Sequence, residues 1–230
     1  MPKLTIVIGA NGAGKSTWCD KHRSRRLPAD FYNADSIAKG LGDWNSPAKQ
    51  GAAREMVDAA IEQHLQKRSD FGFESTYSGR SRPDIVRRAK ALGYETEAVF
   101  VGTTRPEINV DRVAKRVAAR TGHDVPSREI RRRWTAAQDN LAATATRIDN
   151  IELIDNSAGH SRRVMLIHDR QVTDQASRVP KWSRQLAARI TARVPTGTIP
   201  EGPAEAPASA DSGGTGEERK PSWTRSTRGR

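Results

Sequence analysis

The stretch LTIVIGANGAGKSTW, residues 4–18, limits the possible folds more than any other part of the chain. An apolar β-rich run stops at Gly9, and Gly9 to Ser16 then complete the pattern GxxxxGK[ST], the P-loop or Walker A motif. Gly9, Gly12 and Gly14 lack a Cβ, so the backbone can curl until successive N–H groups converge on an anion at the start of a helix. The whole loop, Gly9, Ala10, Asn11, Gly12, Ala13, Gly14, Lys15, Ser16 and Thr17, is expected to bind a nucleotide with Mg²⁺. Lys15 supplies an ammonium to the β- and γ-phosphates and Ser16 a hydroxyl to the metal, while Thr17 lies near the α-phosphate.

The remaining sequence alternates between the two periodicities. Strands are expected at FYNAD, FGFES, TEAVFVG, IELID and RVMLIHD. Helices are expected directly after the P-loop, at 47–67, over RPDIVRRAKALG, at about 106–119 and 127–146, and from near Pro180. With the P-loop, such alternation predicts an α/β P-loop NTPase: a three-layer parallel sheet with helices on both faces and a helical lid at about 105–146. Residues 1–194 are expected to form the kinase domain. The segment 195–230, dense in Pro, Gly, Ser and Ala, is expected to be a disordered tail without catalytic groups.

Charge narrows the partners. The net charge is +12, and from Pro195 onward five basic residues balance five acidic ones, so the excess lies in the folded part. A basic fold implies an anionic ligand: a nucleotide, a phosphorylated metabolite or nucleic acid. No apolar run approaches membrane-span length and the N-terminus has no signal-peptide layout, which predicts a cytoplasmic location and no membrane partner. The single cysteine, Cys19, cannot form an internal disulfide and is expected to be a small buried residue.

In open α/β sheets ligands bind beyond the carboxyl ends of the strands. Asp35 after FYNA and Glu74 after FGF both fall there. Transfer of a phosphoryl group to a hydroxyl needs a carboxylate near the departing proton, and Asp35 is the candidate base. Glu74, Ser75 and Thr76 suit a hydroxylated substrate or a metal-bound water. Asp155 in IELIDNS resembles a Walker B acid but is expected to be structural, because DNS is also a turn signal. Arg112, Arg116 and Arg120 recur every four residues, and Gly122 and Pro126 then mark a hinge before IRRRW; these features suggest a lid that closes over phosphates. The histidines have no metal-ligand spacing, and Trp18, Trp44 and Trp134 are expected to be packing residues.

Together GANGAGKST, YNADSIA, FESTYSGR, GYETEAVFVGT, RVAKRVAARTGHDVP and IRRRW resemble the zeta-toxin family of P-loop kinases, in particular its chromosomal zeta-like branch. The resemblance runs from about Leu4 to Ser157. It implies an adenylate-kinase-like core that transfers the ATP γ-phosphate to a hydroxyl of UDP-N-acetylglucosamine, with Mg²⁺. It also implies a base at Asp35, a substrate contact at Glu74 and a first lid arginine at Arg116. The register of the second lid arginine falls on His123, so Arg120, Arg131 or Arg132 would have to replace it. Arg80, in FESTYSGR, joins His123, Arg131 and Arg132 as an expected substrate contact. A cognate antitoxin chain is a further implied partner. The leading expectation is therefore a small-molecule kinase acting on a sugar nucleotide. The alternatives are a nucleic-acid-directed P-loop protein, for which no specific recognition motif is present, and a nucleotide sensor without turnover.

Overall fold

The computed structural model describes residues 1–42 and 45–192. Trp44 and the expected tail lie outside the described residues. The chain begins with β1 (Lys3–Ile8), α1 (Lys15–Arg26), β2 (Phe31–Tyr32), α2 (Ala34–Gly40), α3 (Pro47–Lys67), β3 (Phe71–Ser75) and α4 (Ser81–Ala91). It continues with β4 (Glu95–Gly102), α5 (Pro106–Ala118), α6 (Ser127–Thr144), a 3₁₀ turn (Ala145–Arg147) and β5 (Asn150–Asp155). A hairpin of β6 (Arg162–His168) and β7 (Gln171–Gln175) then leads to α7 (Lys181–Thr191).

The seven strands are ordered β2-β3-β1-β4-β5-β6-β7. The first five are parallel, with Val7 opposite both Glu74 and Val99, so the ends of β1, β3 and β4 open on one rim. Strand alternation divides the core. Leu4, Ile6 and Ile8 face a large cluster with Val57 and Ile61 of α3, Val86 of α4, Leu141 of α6 and Trp182 of α7. Val7 faces the opposite way, with Val99, Val101 and Ile154, against Trp18 and Cys19 of α1. Val113, Val125 and Ile130 form a third cluster within the lid. The expected three layers and lid are therefore present.

Three expectations change. The sheet is not wholly parallel, because β6 runs antiparallel to β5. The link between them, residues 156–161, is far shorter than the dozen or so residues a parallel crossover requires. Strand β7 is an addition to the expected set: all five of its residues are exposed and four of them polar, leaving no apolar alternation to read. Finally, FYNAD is not one strand: β2 ends at Tyr32, and Asn33 caps α2 by accepting a hydrogen bond from Ser36 N at 3.1 Å. Asp35 therefore sits in the first turn of a helix. Among the described residues no helix is long and apolar enough to cross a membrane.

Candidate active site

The P-loop is fastened by close backbone approaches. Gly12 has φ +78°, and a Cβ there would lie 2.4 Å from Asn109 O. Gly14, at φ +98°, precedes α1 without a side-chain cap, leaving the first amides of the helix available to an anion. Asn156, just past β5, donates from Nδ2 to Ala13 O at 2.8 Å, and Arg112 of α5 donates to Asn156 O at 2.8 Å. Neither contact is evident from the motif.

Beside the loop, Glu74 gathers three partners. Ser16 Oγ lies 3.0 and 3.1 Å from its two oxygens, Asn33 Nδ2 donates to Oε2 at 2.7 Å, and Lys15 Nζ is 3.5 Å from Oε1. Lys15 also donates to Ala10 O at 3.2 Å. Burial pushes the Glu74 carboxyl above its ordinary value; Lys15 and Ser16 oppose the rise, and the charge of Asp35 adds to it. Asp35 itself is exposed, with its side chain at the rim.

Two cavities meet here. One, of about 350 Å³, runs along Gly12, Gly14, Ser16, Thr17 and Trp18 under Arg112, Lys115 and Arg116. The other, of about 490 Å³, lies among Arg54, Ser75, Thr76, Ser78, Arg82 and His123. Asn11, Lys15, Asp35 and Glu74 line both. The P-loop space, or nucleotide side, and its neighbour, the acceptor side of the proposed reaction, thus share a boundary that carries one cation and two carboxylates.

The structure sorts the expected site residues. Asn11, Gly12, Gly14, Lys15, Ser16 and Thr17 of the P-loop are brought together with Asp35, Glu74 and Arg116 at the nucleotide side, Gly9, Ala10 and Ala13 line neither cavity, and Ser75, Thr76 and His123 line the acceptor side. Arg120, just past α5 in a left-handed conformation (φ 54°), lines neither cavity. Arg80 borders a separate surface cavity with Arg87 and Arg147. Arg131 pairs with Glu107 at 3.4 Å and Arg132 with Glu129 at 2.6 Å, both exposed and outside the two cavities. Arg133 instead donates from Nη1 to Asn11 Oδ1 at 2.9 Å and from Nε to Glu129 Oε1 at 2.8 Å, and lines the acceptor side. Helical phase identifies it. Ile130 and Ala137 are buried, so Arg133 lies three residues after one and four before the other, on the inward stripe.

Tyr77 carries no sequence signal of its role. It is fully buried at φ 52°, an outlier for an aromatic residue, and is held from three sides. Its N–H donates to Ser75 Oγ at 2.9 Å, its carbonyl accepts from Asn140 at 2.8 Å, and its hydroxyl meets Thr144 Oγ1 at 3.0 Å. These bonds fix the turn that presents Thr76 and Ser78 to the cavity. Trp18 is buried, as expected of a packing residue, yet also lines the nucleotide side, with His22 stacked at 4.4 Å. Asp155 is bonded within the fold: Ser157 at 2.6 Å and the Trp182 indole at 3.2 Å donate to one of its oxygens, and Arg162 lies 3.7 Å from the other. Burial pushes the Cys19 thiol up to about 12.

With this geometry in place, comparison with known proteins identifies the family. A family model described as AAA domain matches residues 4–144, from β1 to the end of α6. The chain belongs to that family. Its fold is that of a P-loop AAA domain. An uncharacterized protein of Haemophilus influenzae is 29% identical over 136 residues, which are 57% of this chain and 92% of that one. Among solved structures, the AvrRxo1-ORF1:-ORF2 complex with ATP superposes with a TM-score of 0.58 at 15% identity, covering 86% of this chain and 66% of that chain. The PezAT chromosomal toxin-antitoxin system of Streptococcus pneumoniae gives a TM-score of 0.50 at 14% identity, covering 83% and 86%. At these identities the similarity is one of fold.

Proposed function

We propose that this AAA-domain protein is a Mg²⁺-dependent kinase that transfers the ATP γ-phosphate to a hydroxyl group, with UDP-N-acetylglucosamine or a related sugar nucleotide as the acceptor. One observation carries the reading: the two cavities meet where Lys15, Glu74 and Asp35 converge. In-line transfer requires an acceptor oxygen on the far side of the γ-phosphate from its leaving group, with a carboxylate beside it.

In this scheme the amides from Gly12 to Ser16 and the Lys15 ammonium hold the phosphates. Asp35 accepts the proton of the acceptor hydroxyl. Arg116 and Arg133, from the two helices of the lid, face charge developing on the transferring group, Arg133 taking the place expected of Arg120, Arg131 or Arg132. The Ser16 hydroxyl and the Glu74 carboxylate, 3.0 Å apart, form a hard-oxygen pair that suits Mg²⁺. An ion held there would take its remaining ligands from phosphate oxygens and water. The ion's chemistry when bound is neutralisation of charge on the phosphates.

Residues 1–194 are the proposed catalytic unit, with the lid at about 105–146. A cognate antitoxin chain belongs to the proposal, because PezAT, which shares the fold, is a toxin-antitoxin system. Incubation of the purified protein with labelled ATP, Mg²⁺ and UDP-N-acetylglucosamine, alongside a panel of hydroxylated metabolites, tests the reading. A labelled sugar nucleotide is the expected product. Label retained entirely in ATP across the panel would count against it.

A further inference from the structure

We propose that the wall of the acceptor cavity made by α3 and α4 is an anion subsite, where Arg54 and Arg82 hold a phosphate or carboxylate on the acceptor whose hydroxyl faces Asp35. The inference rests on the kinase reading for the hydroxyl, and on the cavity itself for the anion.

The two arginines reach the cavity from different helices and by different means. Arg82, in the first turn of α4, is largely covered. Its Nη1 donates to Asp58 Oδ1 at 2.6 Å and its guanidinium lies 5.4 Å from the centre of the Phe73 ring. Both contacts fix the plane of the guanidinium, while only one of its five N–H groups is engaged by Asp58. Arg54 lies one turn before Asp58 on α3, a spacing at which an ion pair would be ordinary. Asp58 instead turns to Arg82, and the bond found for Arg54 is a long one of 3.4 Å to Gln50. Arg54 is thus a cation at the cavity edge whose hydrogen-bond partner among the described residues is neutral.

Of the four carboxylates that line the same cavity, Asp124 belongs to the hinge between α5 and α6, and the other three are committed elsewhere. Glu74 is tied to Ser16, Asn33 and Lys15, and Glu129 to Arg132 and Arg133, while Asp35 is the proposed base. Gln50, Ser78 and Ser81 line the space beside the two arginines and match hydroxyl-bearing ligands. Paired guanidinium groups bind planar or tetrahedral oxyanions through several charge-assisted bonds at once. The acceptor class is therefore a polyhydroxylated compound bearing an anion, not a neutral sugar or a cationic amine.

The test uses the full chain with its P-loop saturated by a non-hydrolysable ATP analogue and Mg²⁺. N-acetylglucosamine, N-acetylglucosamine 1-phosphate and glucuronate are titrated calorimetrically. The expected result is about ten- to hundredfold tighter binding of an anionic compound than of the neutral sugar, as for charged hydrogen bonds. The phosphate ester and glucuronate arms decide which anion is preferred. Arg54→Gln, on an exposed helix surface, should lose severalfold of that preference while retaining affinity for the ATP analogue. Arg54→Gln combined with Arg82→Gln should abolish the preference, and if that variant does not fold, Arg54→Gln decides alone. Equal binding of all three compounds, no binding of either anion, or a preference that survives Arg54→Gln would overturn the subsite. Transfer from labelled ATP is measured separately. Anion preference without transfer removes the kinase reading and keeps the subsite, and transfer without anion preference does the reverse.

Discussion

The floor of the site and its lid are built on opposite principles. At the floor, Glu74, Lys15 and the P-loop are buried and cross-bonded: Asn156 holds Ala13, Ser16 and Asn33 hold Glu74, and Gly12 lies against the Asn109 carbonyl. In the lid, the first turns of α6 are held by exposed pairs, Arg131 with Glu107 and Arg132 with Glu129, around a core as small as Val113, Val125 and Ile130. Exposed ion pairs contribute little and exchange readily, whereas a buried polar network is costly to disturb. The floor is therefore preorganised together with the α5 residues Asn109 and Arg112 that pack on it, while the first turns of α6 are held less firmly. Arg133, which bonds Asn11 of the floor and Glu129 of the lid, joins the two.

The comparison breaks most easily at the floor. Gly12→Ala should abolish nucleotide binding, since a Cβ would sit 2.4 Å from Asn109 O on a backbone at φ +78°. Fluorescent-nucleotide titration of the variant checks this, and unchanged affinity would show that the P-loop is looser than its close contacts imply. Arg133→Ala should lower turnover by about 10- to 1,000-fold with nucleotide affinity nearly unchanged, whereas Arg131→Ala and Arg132→Ala should change little. Equal effects at all three positions would mean that the contact with Asn11 has no special part.

The smallest effects are on stability, and they differ in sign. Glu74 has a folded pKa above its ordinary 4.5, so its stabilising contribution is complete below that value and is lost as pH rises through the folded one. Glu129 is held down to about 2 by Arg132 and Arg133, so its contribution is present above 4.5 and lost as pH falls towards 2. Glu74→Gln should flatten the loss on the rising side, and Glu129→Gln should reduce, slightly because the group is exposed, the loss on the acid side. Urea midpoints measured across pH would separate the two, and like-signed changes would remove the contrast between floor and lid.

Contiguous features are legible in the sequence, and those assembled from distant segments are not. The P-loop is one unbroken motif, and Glu74 and Asp35 follow apolar runs, so their place at the rim can be inferred even though Asp35 belongs to α2 and not to a strand. Arg133 does not stand out beside Arg131 and Arg132, because three consecutive arginines are distinguished only by helical phase against Ile130 and Ala137. Arg54 and Arg82 reach the cavity from helices far apart in the chain, and their spacing carries no motif. Tyr77 owes its left-handed backbone to bonds with Asn140 and Thr144, which local propensity cannot reveal. Strand β7, entirely exposed, is held on β6 by backbone pairing and the Arg163–Asp174 pair, with no apolar pattern to announce it.

The central claim is that the Asp35 carboxylate removes the acceptor proton beside a phosphate cradle that forms without it. Asp35→Asn tests that directly when ATP affinity and phosphoryl transfer are measured on the same preparation. Affinity should match that of the unaltered protein while transfer falls by about 10²- to 10⁴-fold. Transfer at the unaltered rate would contradict the claim.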